Sequence, residues 1–146
     1  MRRAYPTGPL GAVVLAYVGL LALGGCSKNG GGQVTTSLRA GETVTAVLEV
    51  KAGESEGGDL ESCDLVVLNE QDFGTVEALA QMDVTLGKPG KSDNHKCGVV
   101  ATITGHDDAV AGDYVVEATF FYKYSAVFQG TQEGDDIGAI LITIAP

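Results

Sequence analysis

Tyr114 to Tyr124, YVVEATFFYKY, decides the fold class. Its alternate positions Tyr114, Val116, Ala118, Phe120, Tyr122 and Tyr124 are all apolar or aromatic, and a repeat of two places them on one face of an extended strand. A helix, with its repeat of 3.6, would scatter the same residues around its circumference. The intervening positions face the other way and set Val115 and Phe121 beside Glu117. Val115 and Phe121 are therefore the candidate partner surface, since large exposed apolar areas are uncommon on monomers, unless a second sheet face or the run Tyr124 to Gly130 covers them.

Outward from that strand the period stays at two. Val44, Ala46, Leu48 and Val50 share a face of Thr43 to Lys51, Ala80, Met82, Val84 and Leu86 share one of Ala80 to Leu86, and Val99, Ala101 and Ile103 do so in Val99 to Thr104. Gly138 to Ile144 (GAILITI) and Cys63 to Leu68 (CDLVVL) also read as strands but alternate less cleanly, which leaves burial on both faces open, while Gln33 to Leu38 makes a modest first strand. Ala40 to Glu42, Gly53 to Asp59, Gly87 to Gly90, Gly105 to Gly112 and Gly130 to Asp136 carry the Gly, Pro, Asp and Asn that turns require. Glu70 to Leu79 has Phe73, Val76 and Leu79 at helical spacing, but Gly74 and Thr75 weaken it to a loop with one helical turn. About seven strands joined by short turns predict an all-β domain: two antiparallel sheets packed as a sandwich.

Asp107 to Tyr114 (DDAVAGDY) is similar to the turn and tyrosine that precede the penultimate strand of immunoglobulin-like domains, and Ala40-Gly41-Glu42-Thr43 resembles the turn opening their second strand. The resemblance implies that the Tyr114 hydroxyl bonds back to the corner it follows. The chain departs from antibody domains in having Val116 where they have cysteine, and in having no Trp. A transthyretin-like strand order stays open. Such folds host binding, scaffolding and occasional metal chemistry, so the resemblance implies no activity.

The amino terminus bears on location. Arg2 and Arg3 precede the uncharged run Leu10 to Leu23, 14 residues where a membrane-spanning helix needs about 20. That run ends in Leu23-Gly24-Gly25-Cys26, which resembles the lipobox of bacterial lipoproteins. The resemblance implies that residues 1–25 are a cleaved signal peptide and that Cys26 is lipidated, tying the protein to a membrane. Several acyl chains, at about 0.8 kcal/mol per buried CH2, anchor stably where one myristoyl chain is marginal. Ser27 stands where an aspartate resembles an inner-membrane retention signal, favouring the outer membrane in a two-membrane host. Residues 26–32, ending in three glycines, read as a tether, and 33–146 as the sandwich domain.

Once Cys26 carries lipid, Cys63 and Cys97 remain, an even pair in an exported domain, and are expected to form a disulfide. They form no Cys-x-x-Cys motif, and no His stands at ligand spacing from both.

The formal charge is −10, and loss of Arg2 and Arg3 takes it to −12. Seven scattered basic residues among nineteen carboxylates argue against nucleic acid, whose backbone needs clustered cations. Hydrolytic catalysis needs a nucleophile beside a base, and neither His95 nor His106 sits in a recognisable motif. His106, Asp107, Asp108 and Asp113 around one predicted loop, with Glu133, Asp135 and Asp136 in another, would supply oxygens for calcium only if the loops converge. Their spacing is not that of an EF-hand, and solvated turn formers are the expectation. We therefore expect no cofactor and no catalysis, but a membrane-anchored envelope lipoprotein with a binding or structural sandwich. The alternative is a small envelope enzyme or calcium-dependent module using the acidic loops around Asp107 and Asp135.

Overall fold

The computed structural model describes residues 32–52 and 58–146. The expected signal peptide, Cys26, nearly all of the expected tether and the centre of the expected Gly53 to Asp59 turn lie outside the described residues. The elements are β1 (Gln33–Arg39), β2 (Thr43–Lys51), β3 (Leu60–Leu68), α1 (Phe73–Leu79), β4 (Met82–Leu86), β5 (Gly90–Asp93), β6 (Lys96–Gly105), β7 (Gly112–Ala126) and β8 (Gly130–Ala145). Two sheets result, one ordered β1-β8-β7-β3 and the other β2-β6-β4, with β5 also on β6.

The alternation in the sequence is the alternation in burial. Val116, Ala118, Phe120, Tyr122 and Tyr124 of β7 are buried, as are Ala46, Leu48 and Val50 of β2 and Val99, Ala101 and Ile103 of β6. These faces meet between the sheets with Ile140, Ile142 and Ile144 of β8. Full burial of one such side chain contributes about 1.5–3 kcal/mol. Core packing is close enough that Gly138 is required in β8: a Cβ there would stand 3.0 Å from Leu48 Cδ1 and Val50 Cγ1 of the facing sheet.

The chain passes from β1 in one sheet to β2 in the other through Arg39-Ala40-Gly41-Glu42. Glu42 N donates to Arg39 O at 3.0 Å and Gly41 takes φ 82°, which glycine adopts without penalty. At the same end of the sandwich the Tyr114 hydroxyl donates to Val110 O at 2.8 Å, clasping the β6–β7 connection. The fold is an immunoglobulin-like β-sandwich.

A disulfide between Cys63 of β3 and Cys97 of β6 joins the sheets, with Cα atoms 5.8 Å apart. Cys97 lies near the start of β6, but Cys63 stands inside β3, at a bulge that turns both Asp64 and Leu65 outward. That bulge is why the alternation of Cys63 to Leu68 looked blurred.

Several expectations need correction. Strands number eight among the described residues, because four exposed residues, Gly90–Asp93, add β5 to the edge of β6. One pairing, β1 with β8, is parallel. Cys63 to Leu68 is not buried on both faces, and neither is the end of β8, where Thr143 is exposed. Gly130 to Asp136 is not a loop but the first half of β8, paired with β7 from Gly130↔Ala126 to Asp136↔Phe120. Tyr122 stabilises that glycine-rich stretch: its ring lies over Gly134, where a Cβ would come within 2.8 Å, and its hydroxyl donates to Asp136 Oδ2 at 2.9 Å. Pairing and aromatic cover override composition.

The segment read as a loop with one turn is a seven-residue helix, α1, and Ala80 is its C-cap rather than the first residue of a strand. Asp72 caps its N-terminus by accepting from Thr75 N at 3.0 Å. Beyond Leu68, where β3 ends, α1 covers the exposed edge of β7. The fully buried Thr75 hydroxyl accepts from Glu117 N at 2.9 Å, supplying the partner that a neighbouring strand would.

Candidate functional site

The outward face of the β1-β8-β7-β3 sheet is built by register. In one row Leu65 of β3, Phe121 of β7 and Asp135 of β8 stand side by side, and in the next stand Val67, Thr119 and Ile137. Leu65, Val67, Phe121 and Ile137 are 52, 43, 39 and 49% exposed, so four large apolar side chains adjoin one another with none of the described residues covering them. Lys123 and Asp64, 3.8 Å apart, border the cluster, with Asp135 at its β8 side.

Val115 and Phe121 both face outward as expected, but they do not form one patch. Two rows, Glu117–Ala139 and Thr119–Ile137, separate them, and Val115 instead neighbours Leu141. Leu65, Val67 and Ile137 were missed. The first two lie in a run whose weak alternation does not separate its faces, and Ile137 lies between the expected turn Gly130 to Asp136 and the expected strand Gly138 to Ile144. The register against β7 is the signal that places them, and only long-range pairing supplies it. The outer face of the other sheet differs: Val47 and Val100 pair there among Thr45, Thr102 and Thr85.

Glu117 lies on the same outward face. Burial against α1, followed by the nearby Asp72 charge, pushes its carboxyl pKa above the usual range, with Asn69 opposing through a hydrogen bond.

The acidic groups considered for calcium are not brought together. Asp113 pairs with Thr143 at one end of β7, while Asp135 pairs with Phe121 eight residues further along, about 26 Å at strand spacing. Asp107 and Asp108 sit in the loop beyond Asp113, and Asp113 accepts from the Thr143 hydroxyl at 2.8 Å. Glu133 and Asp135 point outward from a strand and Asp136 inward to Tyr122, so no loop presents the three. Among the described residues no group of three or more His, Cys, Asp or Glu is placed to hold a metal ion.

The two histidines lie at opposite ends. His106 Nε2 is 3.1 Å from Asp83 Oδ1 and Nδ1 is 3.2 Å from Ala80 O, so the ring ties the β6–β7 loop to the end of α1 and to β4. Both neighbours accept only, a pattern satisfied in full by the doubly protonated ring. The Asp83 hydrogen bond chiefly raises the pKa of His106, against an opposing desolvation contribution. His95 lies in the β5–β6 turn, 3.9 Å from Asp59, with Nδ1 buried and without a hydrogen-bond partner among the described residues. The hydrogen bonds of the His106 ring go to a carboxylate and a backbone carbonyl, not to a hydroxyl.

No protein-family model and no curated protein matches the chain. Among solved structures it is similar to the crystal structure of AggA, the major subunit of aggregative adherence fimbriae type I (AAF/I) from Escherichia coli. The alignment covers 78% of this chain and 90% of that one at 10% identity, with a TM-score of 0.39. Likeness at that level carries no argument about activity or partners. Among the described residues no helix is long and apolar enough to cross a membrane.

Proposed function

We propose that the chain is exported and carried on the envelope as a lipoprotein anchored through Cys26. Its sandwich works without catalysis, binding another envelope or extracellular component through the outer face of the β1-β8-β7-β3 sheet. The observation that carries the binding half is the cluster Leu65, Val67, Phe121 and Ile137, contiguous on one sheet face and exposed among the described residues. A rim of charge around an apolar centre is the usual anatomy of a protein contact surface. The anchoring half is supported by the lipobox-like Leu23-Gly24-Gly25-Cys26 behind its 14-residue apolar run, and by a disulfide of the kind that persists in oxidising compartments. Ser27, standing where an aspartate resembles a retention signal, favours the outer membrane where the host has two.

The test is site-specific photo-cross-linking in intact cells, with the reactive side chain at Phe121 in one strain and at Thr45 on the opposite sheet in another. The proposal expects a discrete adduct at Phe121, at least tenfold above Thr45, that disappears when Leu65→Asp is added. Equal labelling at the two positions, or an adduct indifferent to Leu65→Asp, contradicts it.

A further inference from the structure

The tip of the β7–β8 hairpin is built in a way that packing does not explain. Ala126 pairs with Gly130, leaving Val127, Phe128 and Gln129 as the loop, and Gln129 N donates to Ala126 O at 3.1 Å to close a four-residue turn. Its third residue is Phe128 at φ 66°, the left-handed region that this turn normally fills with glycine. Phe128 is the one non-glycine residue at positive φ among the described residues. Its side chain is completely exposed, at 103%, and Val127 beside it is 63% exposed. A bulky residue thus holds an unfavourable backbone conformation and gains no cover from the described residues. From Tyr124 to Gln132 no residue is charged.

The direction of β1 says what this tip faces. β1 runs parallel to β8 with Gln33 opposite Ala139, so the chain preceding Gln33 arrives from the hairpin-tip side. The hairpin extends nine residues past that point, from Ala139 back to Gly130, about 30 Å at strand spacing. Seven residue steps separate Cys26 from Gln33, and even fully extended they span at most about 25 Å. The hairpin therefore overhangs the reach of the tether. With its strands upright and the tip towards the lipid, a domain held on Cys26 brings Phe128 to the bilayer surface.

Charge does not distinguish the tip-side end: Lys51, Lys91, Lys96 and Lys123 stand there, but with Asp93 opposite Lys96, Glu133 opposite Lys123 and Asp64 3.8 Å from Lys123. The opposite end carries Glu42, Asp107, Asp108 and Asp113 with Arg39. Asp59 and Glu61 stand at the base of the tip, where Glu61 accepts from Thr131, so attraction to anionic lipid is not the driving term.

The geometry points to the Val127–Phe128 tip as a second membrane contact, an apolar wedge seated in the interfacial layer of the same bilayer that holds the Cys26 lipid. This rests on the lipoprotein reading above. The wedge adds orientation rather than attachment: it stands the sandwich on end and turns the Leu65–Phe121 face sideways, parallel to the membrane normal. Apolar side chains inserted at the boundary of headgroups and acyl chains are buried by about 5–10 Å.

The chain contains no tryptophan, so Phe128→Trp creates a sole reporter. The full-length lipoprotein carrying Phe128→Trp is reconstituted in phosphatidylcholine vesicles, with and without bromine on the acyl chains, beside Phe121→Trp as the sheet-face comparison. The wedge predicts blue-shifted emission for Phe128→Trp and bromine quenching at least threefold stronger than for Phe121→Trp. Protein that floats with the vesicles while Phe128→Trp stays unquenched overturns the wedge and leaves the anchor standing. Stronger quenching at Phe121→Trp means that the domain lies on its sheet, which also overturns the wedge. A blue shift found in native envelopes but not in lipid vesicles assigns the tip to a protein instead. Protein that does not float overturns the anchor and the wedge together. As a second variant, Phe128→Asn keeps a residue that tolerates left-handed backbone, and it should melt with the parent while a Trp placed at Val127 loses at least half of its quenching.

Discussion

Removing the Cys63–Cys97 bridge is the perturbation whose size follows most directly from the fold. The bond spans 34 residues and links β3 of one sheet to β6 of the other. On the chain-entropy model, freeing a loop of that length returns about 12.6 cal/mol/K to the unfolded chain, or about 3.8 kcal/mol at room temperature. Cys97 is also fully buried in the core, so its replacement by alanine loses a little packing besides. A domain of this size is stabilised by about 5–15 kcal/mol in total, so the bond accounts for a quarter or more of the stability. The double variant Cys63→Ala/Cys97→Ala should unfold in urea with about 4 kcal/mol less stability than the oxidised parent. Its Tm should fall by about 15 °C, at about 4 °C per kcal/mol. The parent in a thiol reductant should move most of the way to the same midpoint, and the variant should ignore the reductant. A double variant within 1 kcal/mol of the parent would refute the argument that the bridge acts by restricting the unfolded chain.

Gly138→Ala should cost about 1–3 kcal/mol in chemical denaturation, since the new methyl meets Leu48 and Val50 of the facing sheet at 3.0 Å; an unchanged midpoint would mean that the sheets give way easily. Tyr114→Phe, which deletes the hydroxyl bonded to Val110 O, should cost about 1 kcal/mol and speed amide exchange in the β6–β7 loop. The folded pKa of His106 is raised, so the stability it contributes is complete below its unfolded value of about 6.5 and is lost as pH rises through the folded value. The His106→Asn variant should therefore be separated from the parent at pH 5.5 and approach it at pH 8.5. Carbon-bound ring protons of His106 should titrate above those of a model peptide, and a midpoint at or below about 6.5 would contradict the Asp83 contact.

How much the sequence told depended on whether information was local. Period-two alternation is local, and it placed the buried faces of β2, β6 and β7 residue by residue. The tyrosine at 114 and the glycine at 41 are local turn chemistry, and both do what their positions imply. What failed was long-range. Gly130 to Asp136 has the composition of a loop and becomes a strand because β7 pairs with it and Tyr122 covers Gly134. The face of Leu65 stays open because the bulge at Asp64 is invisible without its partner strand. Once Asp135 joins a strand it stands eight residues from Asp113 along β7, and the supposed acidic constellation comes apart. Gly74 and Thr75 weaken α1 by propensity, yet Asp72 is a local cap signal that offsets them, and Thr75 is needed for its hydroxyl. The outer face was half legible: Phe121 was found on its own strand, and its neighbours Leu65, Val67 and Ile137 arrive from two others.

The central claim, a lipid-anchored module on the envelope surface, is tested most directly by intact-mass analysis of the full-length product purified from the membrane fraction. The account predicts a polypeptide that starts at Cys26 and weighs more than residues 26–146 by a diacylglyceryl group and an amide-linked acyl chain, with Cys63 and Cys97 two hydrogens short. A mature product whose Cys26 is unmodified, or one still carrying residues 1–25, contradicts it.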